Sequence, residues 1–129
     1  MKLLVVALFL SLFENVYCNN GLIFCIPKVG SNGDEFLKVM SLQIPETRTE
    51  QCLKACVMKA MQTMTDANKL NTQGTGPYLQ ALQKTQPEIF NQIMQIFNEC
   101  QIDDPSTDEC TAAYNLSKCI NPKLLEIIP

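Results

Sequence analysis

Past residue 19, apolar positions recur at helical spacing along most of the chain, and no stretch alternates strictly enough to make a strand. Leu53, Val57, Ala60, Met61 and Met64 share a face with Cys52 and Cys56, and Thr47 with Glu50 has capping-box spacing ahead of that helix. A second helix is expected from Thr85, where Thr85 and Glu88 repeat the capping-box spacing and Pro87 suits a first turn. It sets Ile89, Phe90, Ile93, Met94, Phe97 and Cys100 on one stripe. A third starts at Ser106, with Glu109 three residues on, and runs through Tyr114 to about Cys119. Shorter helices are expected over 34–42 and 77–84. Turn chemistry separates them at Gly30-Ser31-Asn32-Gly33, from Asn71 to Gly76, and at Asp103-Asp104-Pro105. The fold class this predicts is all-α, without internal repeats.

The N-terminus follows a different pattern. Lys2 precedes an unbroken apolar run from Leu3 to Leu10 that resumes at Leu12 and Phe13, the length of a secretory leader. The alternative, a membrane anchor, needs a longer run, and nothing later reaches the roughly 18 apolar residues of a span. Val16 and Cys18 are small enough for the −3 and −1 positions of a cleavage site. The expected division is a signal peptide over 1–18 and one domain over 19–129, secreted and extracellular, without membrane insertion.

Composition narrows the function. The chain has 129 residues, 47% hydrophobic and 18% charged, which suits one globular domain. A net charge of −3 with no basic run speaks against nucleic acid and anionic membrane surfaces as partners. There is no histidine, which excludes His-based acid/base catalysis and His–metal sites, and no G-x-S-x-G elbow. A non-enzyme without cofactor or metal is expected. The charged residues are scattered and read as a solvated surface.

Seven cysteines become six if Cys18 leaves with the leader: Cys25, Cys52, Cys56, Cys100, Cys110 and Cys119. An even set in a small secreted chain implies three disulfides, and the lack of any C-x-x-C pair disfavours zinc. Cys52 and Cys56, one turn apart with nearly parallel side-chain directions, are poorly placed to bond each other. That removes three of the 15 possible pairings and leaves 12 open. Cys110 and Cys119 are separated by about 900° of helical rotation, so they face opposite sides of the last helix. Bridges worth roughly 2–4 kcal/mol each allow the interior to be incompletely filled.

The spacing Cys25-x26-Cys52-x3-Cys56-x43-Cys100-x9-Cys110-x8-Cys119 resembles the six-cysteine signature of insect odorant-binding proteins, which include the pheromone-binding proteins. The x3 and x8 intervals are its specific parts, and x43 sits at the upper end of the usual range. The resemblance implies the pairing Cys25–Cys56, Cys52–Cys110 and Cys100–Cys119, and a bundle of about six helices around an apolar cavity. It also implies a carrier that solubilises a small hydrophobic ligand such as an odorant or pheromone. Such a carrier presents its ligand to a membrane odorant receptor or sequesters it, as a monomer or weak homodimer. The alternative is a salivary, venom or seminal effector on the same scaffold, acting on a ligand or a protein partner. Two features depart from the family. Only six residues, 19–24, would precede Cys25 in the mature chain, so the first helix is truncated or forms mainly after Cys25. Histidine-driven ligand release is absent, and any pH-dependent release would use carboxylates such as Glu126.

Candidate ligand-binding residues are the apolar positions on facing stripes: Met40, Val57, Met61, Met64, Leu79, Leu82, Ile89, Phe90, Ile93, Met94, Phe97 and Tyr114. The competing assignment for each is plain core. Tyr78 and Tyr114 offer hydroxyls that would orient a polar ligand group or bond to backbone or water. Leu124, Leu125, Ile127 and Ile128 form an apolar tail expected to fold back on the bundle, with Leu125 and Ile127 as pocket residues. Asn115-Leu116-Ser117 is a formal N-glycosylation sequon.

Overall fold

Six helices organise residues 22–128, the part of the chain that the computed structural model describes. The expected signal peptide and its cleavage site lie outside the described residues. The helices are α1 (Cys25–Val29), α2 (Gly33–Met40), α3 (Arg48–Ala60), α4 (Pro77–Thr85), α5 (Pro87–Cys100) and α6 (Glu109–Ile127). No strand occurs among the described residues beyond an isolated bridge between Met64 and Leu70. Among the described residues the first helix is the single turn and a half of α1, which begins at Cys25 itself.

The start of α3 follows from its sequence. Thr47 Oγ1 accepts from Glu50 N at 3.1 Å, and Glu50 Oε1 accepts from Thr47 N at 3.0 Å, closing the predicted capping box. The backbone N–H of Thr47 is the main cause holding the Glu50 carboxyl below its ordinary pKa, helped by the Thr47 hydroxyl and by Lys38 and opposed by burial. A depressed carboxylate pKa stabilises the fold above the group's unfolded value, and that stabilisation is lost as pH falls through the lowered one. Glu50→Ala, which removes that carboxylate, should therefore cost about 1 kcal/mol near neutral pH. Thermal melts of variant and wild type should draw together as pH falls from about 4.3, the unfolded value, through the lowered one, below which Glu50 is protonated in both states. An undiminished gap at low pH would contradict this account.

The other two helix starts differ from expectation. Thr85 ends α4 instead of capping α5: its hydroxyl donates to Ala81 O at 2.9 Å, and Gln86 is the N-cap, without a side-chain hydrogen bond. Sequence spacing alone could not separate the end of one helix from the start of the next when a single residue divides them. Asp108, not Ser106, caps α6, its Oδ1 accepting from Cys110 N at 3.0 Å. Ser106 Oγ instead accepts from Asp108 N and shapes the approach. Arg48 pairs with Asp108 and also donates to Thr111 Oγ1 at 3.1 Å, which joins the first turns of α3 and α6. That contact with Arg48 is the leading cause of a lowered Asp108 pKa.

The last helix does not stop near Cys119. It runs on to Ile127 with Pro122 inside it, so the apolar tail is the end of α6, not a separate segment folded back. Proline in a helix interior costs roughly 3 kcal/mol. The burial of Ile120, Leu124 and Ile128, spaced four residues apart across the proline, offsets that cost by keeping the helical phase.

The core lies where α6 packs against α3 on one side and α5 on the other, with α4 beside α5 and with α1 and α2 against α3. Ala112, Ala113 and Ser117 are buried at the α6 surface, small enough for neighbouring helices to approach closely. Three disulfides fasten this arrangement: Cys25–Cys56 joins α1 to α3, Cys52–Cys110 joins α3 to α6, and Cys100–Cys119 joins the end of α5 to α6. This is the implied pairing. Cys52 and Cys56 take different partners, and α6 is held on both flanks.

Candidate ligand cavity

A cavity of about 50 Å3 lies between α2, α3, α4, α5 and α6. Its wall is built from Val39 and Met40 of α2, then Leu42; Lys54, Val57 and Met58 of α3, then Met61 and Thr63; Tyr78 and Leu79 of α4; Ile93 and Phe97 of α5; and Ile120 and Leu124 of α6. A water molecule needs roughly 10–15 Å3 of such space. The present volume therefore suits a few waters or a very small organic molecule, and a longer ligand requires the wall to move. Met40, Met58 and Met61 are the side chains best able to do so, being unbranched and polarizable.

Two backbone turns bring the wall together. After α2, Leu42 takes a left-handed conformation (φ 63°) and donates its N–H to Val39 O, while Gln43 N reaches back to Lys38 O. After α3, Gln62 does the same (φ 59°), with Thr63 N bonded to Met58 O at 2.9 Å. Glycine is the usual residue at such helix ends, and another residue there costs on the order of 1 kcal/mol. Both turns deliver a side chain, Leu42 or Thr63, into the cavity wall.

Lys54 sets the electrostatics. It is only 7% exposed, and burial alone pulls its pKa down to about 8. Among the described residues it is the one formally charged side chain in the wall, and Tyr78 is the other titratable one. No hydrogen bond or ion pair engages the Lys54 ammonium among the described residues.

The cavity unites six of the expected ligand-binding residues: Met40, Val57, Met61, Leu79, Ile93 and Phe97. Others lie elsewhere. Met64 falls beyond the end of α3, at the edge of a polar surface hollow with Lys59, Lys69 and Gln101. Leu82 and Phe90 are buried away from the cavity, and Phe90 packs with Met94 beneath Gly74. A Cβ at Gly74 would come within 2.7 Å of the Phe90 ring, so this close approach, together with φ 69°, requires glycine. Ile89 is half-buried at the edge of the core. Tyr114 is half-buried outside the cavity, with Lys118 Nζ 4.5 Å from its ring centroid. Leu125 edges a surface groove with Ile44 and Pro122, and Ile127 edges another with Gln92 and Ile96. Glu126 is exposed on that second side, and the sequon serine, Ser117, is completely buried within α6.

Sequence reasoning passed over Val39, Leu42, Lys54, Met58, Thr63 and Ile120 in the wall. For Lys54 a signal was present. It precedes Val57, Met58 and Met61 by three, four and seven residues, so a charge interrupts an apolar stripe. Leu42 and Thr63 gave none, because left-handed turns at non-glycine residues leave no mark in the pattern.

Among the described residues no helix is long and apolar enough to cross a membrane, and no group of acidic residues and cysteines is placed to hold a metal ion. The chain is 28% identical over 102 residues to general odorant-binding protein 19d of Drosophila melanogaster, covering 79% of this chain and 68% of that protein. It is 25% identical over 95 residues to general odorant-binding protein 28a of the same species, covering 74% and 66%. The solved structure of the Drosophila odorant-binding protein dmelOBP28a superposes with a TM-score of 0.67 over 94% of this chain and 96% of its own, at 21% identity, which shows a common fold. The PBP/GOBP family pattern matches residues 24–123, nearly all of the disulfide-linked bundle, and the chain belongs to that family.

Proposed function

We propose that the protein is a secreted carrier that takes up a small, mainly hydrophobic ligand in the cavity between α2 and α6, without chemistry on it. The observation that carries this reading is the cavity itself: an almost wholly apolar space between five helices of a bundle held by three disulfides. A packed domain has no use for such a void, which lowers stability in proportion to its volume. A carrier uses it, because an apolar ligand leaving water gains roughly 25 cal/mol per Å2 buried. The Drosophila relatives, both named as odorant-binding proteins, support the same class. In this reading residues 1–18 are the signal peptide, the mature chain starts at Asn19, and the cavity residues are the ligand contacts. The ligand is a volatile or similar semiochemical passed to a membrane receptor, and the carrier is a monomer or weak homodimer.

The test is titration of the secreted, oxidised protein with N-phenyl-1-naphthylamine, followed by displacement with alcohols, esters and acids of graded chain length. The expected result is saturable binding at one site, with competition that depends on chain length. Failure of the probe to bind a sample with three intact disulfides and helical structure would remove the carrier reading and favour an effector acting through its surface.

A further inference from the structure

A lysine more than nine-tenths buried in an apolar wall is a costly choice unless something in the bound state compensates it. Uncompensated ionic groups are among the most unfavourable to take out of water, and lysine is seldom fully buried without a partner. Lys54 is in that position. It lies on the inner stripe of α3 and is 7% exposed, with no ion pair or hydrogen bond of its own among the described residues. The side chains that α2, α4, α5 and α6 contribute to the cavity include no acid, and Tyr78 is their only titratable group. Glu50, one turn earlier on α3, is engaged elsewhere: its carboxylate caps the helix through Thr47 N, and Lys38 Nζ of α2 lies 3.7 Å from Oε2.

We infer that the cavity is built for a ligand with a carboxylate on a short apolar chain, the carboxylate pairing with Lys54 and the chain lying among Val57, Met61, Ile93 and Phe97. This deepens the carrier reading and rests on it. Neutral alcohols, esters and aldehydes would occupy the same space but leave the charge of Lys54 unbalanced. A carboxylate would neutralise it and accept a charge-assisted hydrogen bond, which is stronger than a neutral one and strengthened further by low dielectric surroundings. The amine remains mostly protonated at neutral pH, as its pKa of about 8 requires, so the cation is available to the ligand.

The experiment compares two isomers, hexanoate and methyl pentanoate, as competitors for N-phenyl-1-naphthylamine on the secreted, oxidised protein. At about pH 7 hexanoate should displace the probe at a concentration about tenfold lower than the ester, or lower still. In Lys54→Met, which approximates the length and apolar volume of the side chain, the preference should vanish or reverse. In wild type the acid preference should also shrink between about pH 7 and about pH 10, as the free amine loses its proton, and this holds even if the variant does not fold. An ester that competes as well as the acid in wild type, or an acid preference retained in Lys54→Met or at the higher pH, overturns the inference and leaves the carrier reading standing. Displacement by neither isomer, nor by any other neutral ligand, overturns both.

Discussion

Replacing Cys52 and Cys110 together by alanine should lower the free energy of unfolding by about 4 kcal/mol, the largest loss from removing any one of the three bridges. The reason lies mainly in the unfolded chain. Cys52–Cys110 closes a separation of 58 residues, against 31 for Cys25–Cys56 and 19 for Cys100–Cys119. Loop-closure entropy rises with the logarithm of that length, giving about 3 kcal/mol for the shortest. In the folded state the same bridge joins α3 to α6, the two helices that carry Lys54, Val57, Met58, Ile120 and Leu124 of the cavity wall. Domains of this size have only about 5–15 kcal/mol in total, so the variant should melt at a markedly lower temperature. Denaturant titration of the three double-alanine variants, each with its remaining bridges oxidised, measures the order directly. A Cys100–Cys119 variant less stable than the Cys52–Cys110 variant would mean that native packing around the bridges outweighs the loop entropy.

The fold was largely legible because its strongest constraints are written locally. Stripes such as Ile89, Phe90, Ile93 and Phe97 mark a helix face wherever they occur, and Thr47 with Glu50 announces a helix start by chemistry that needs no distant partner. The cysteine pairing implied by the family resemblance carried long-range information that no stripe can, since it says which helices meet. The cavity was half legible. A stripe says which residues face inward, not whether they meet a neighbour or a void, so Leu82 and Phe90 looked the same as Ile93 and Phe97. What separates them is the path of the connections. The segment after α3 ends in a left-handed Gln62, returns through Asn71, whose Nδ2 donates to Gln62 O at 2.8 Å, and lays Gly74 over Phe90. None of that follows from periodicity. The continuation of α6 through Pro122 was hidden for the opposite reason: a strong local signal to stop was overridden by tertiary burial of Leu124 and Ile128.

Truncating Phe97 to alanine should cost about 3–5 kcal/mol and, in the same step, admit longer ligands. Phe97 is 3% exposed and stands on α5 in the cavity wall. Removing its ring merges the space it fills with the existing cavity of about 50 Å3. The three disulfides restrict how far the helices can close over the gap, so most of the new volume should persist, which is the condition for the high end of the cost. Ligand binding then works against the loss. A ligand present at about 100 times its dissociation constant restores about 2.7 kcal/mol, so a fitting ligand should raise the variant's melting temperature more than that of wild type. Displacement of the fluorescent probe by a series of linear acids and alcohols reads out the cavity. Wild type should favour short chains, and the Phe97→Ala optimum should move to longer ones, each added methylene contributing about 0.8 kcal/mol while it still fits. If the optimum stays where it was and the stability loss is below about 2 kcal/mol, the wall has collapsed into the vacated space. The methionines, not the aromatic ring, would then set the size of the ligand.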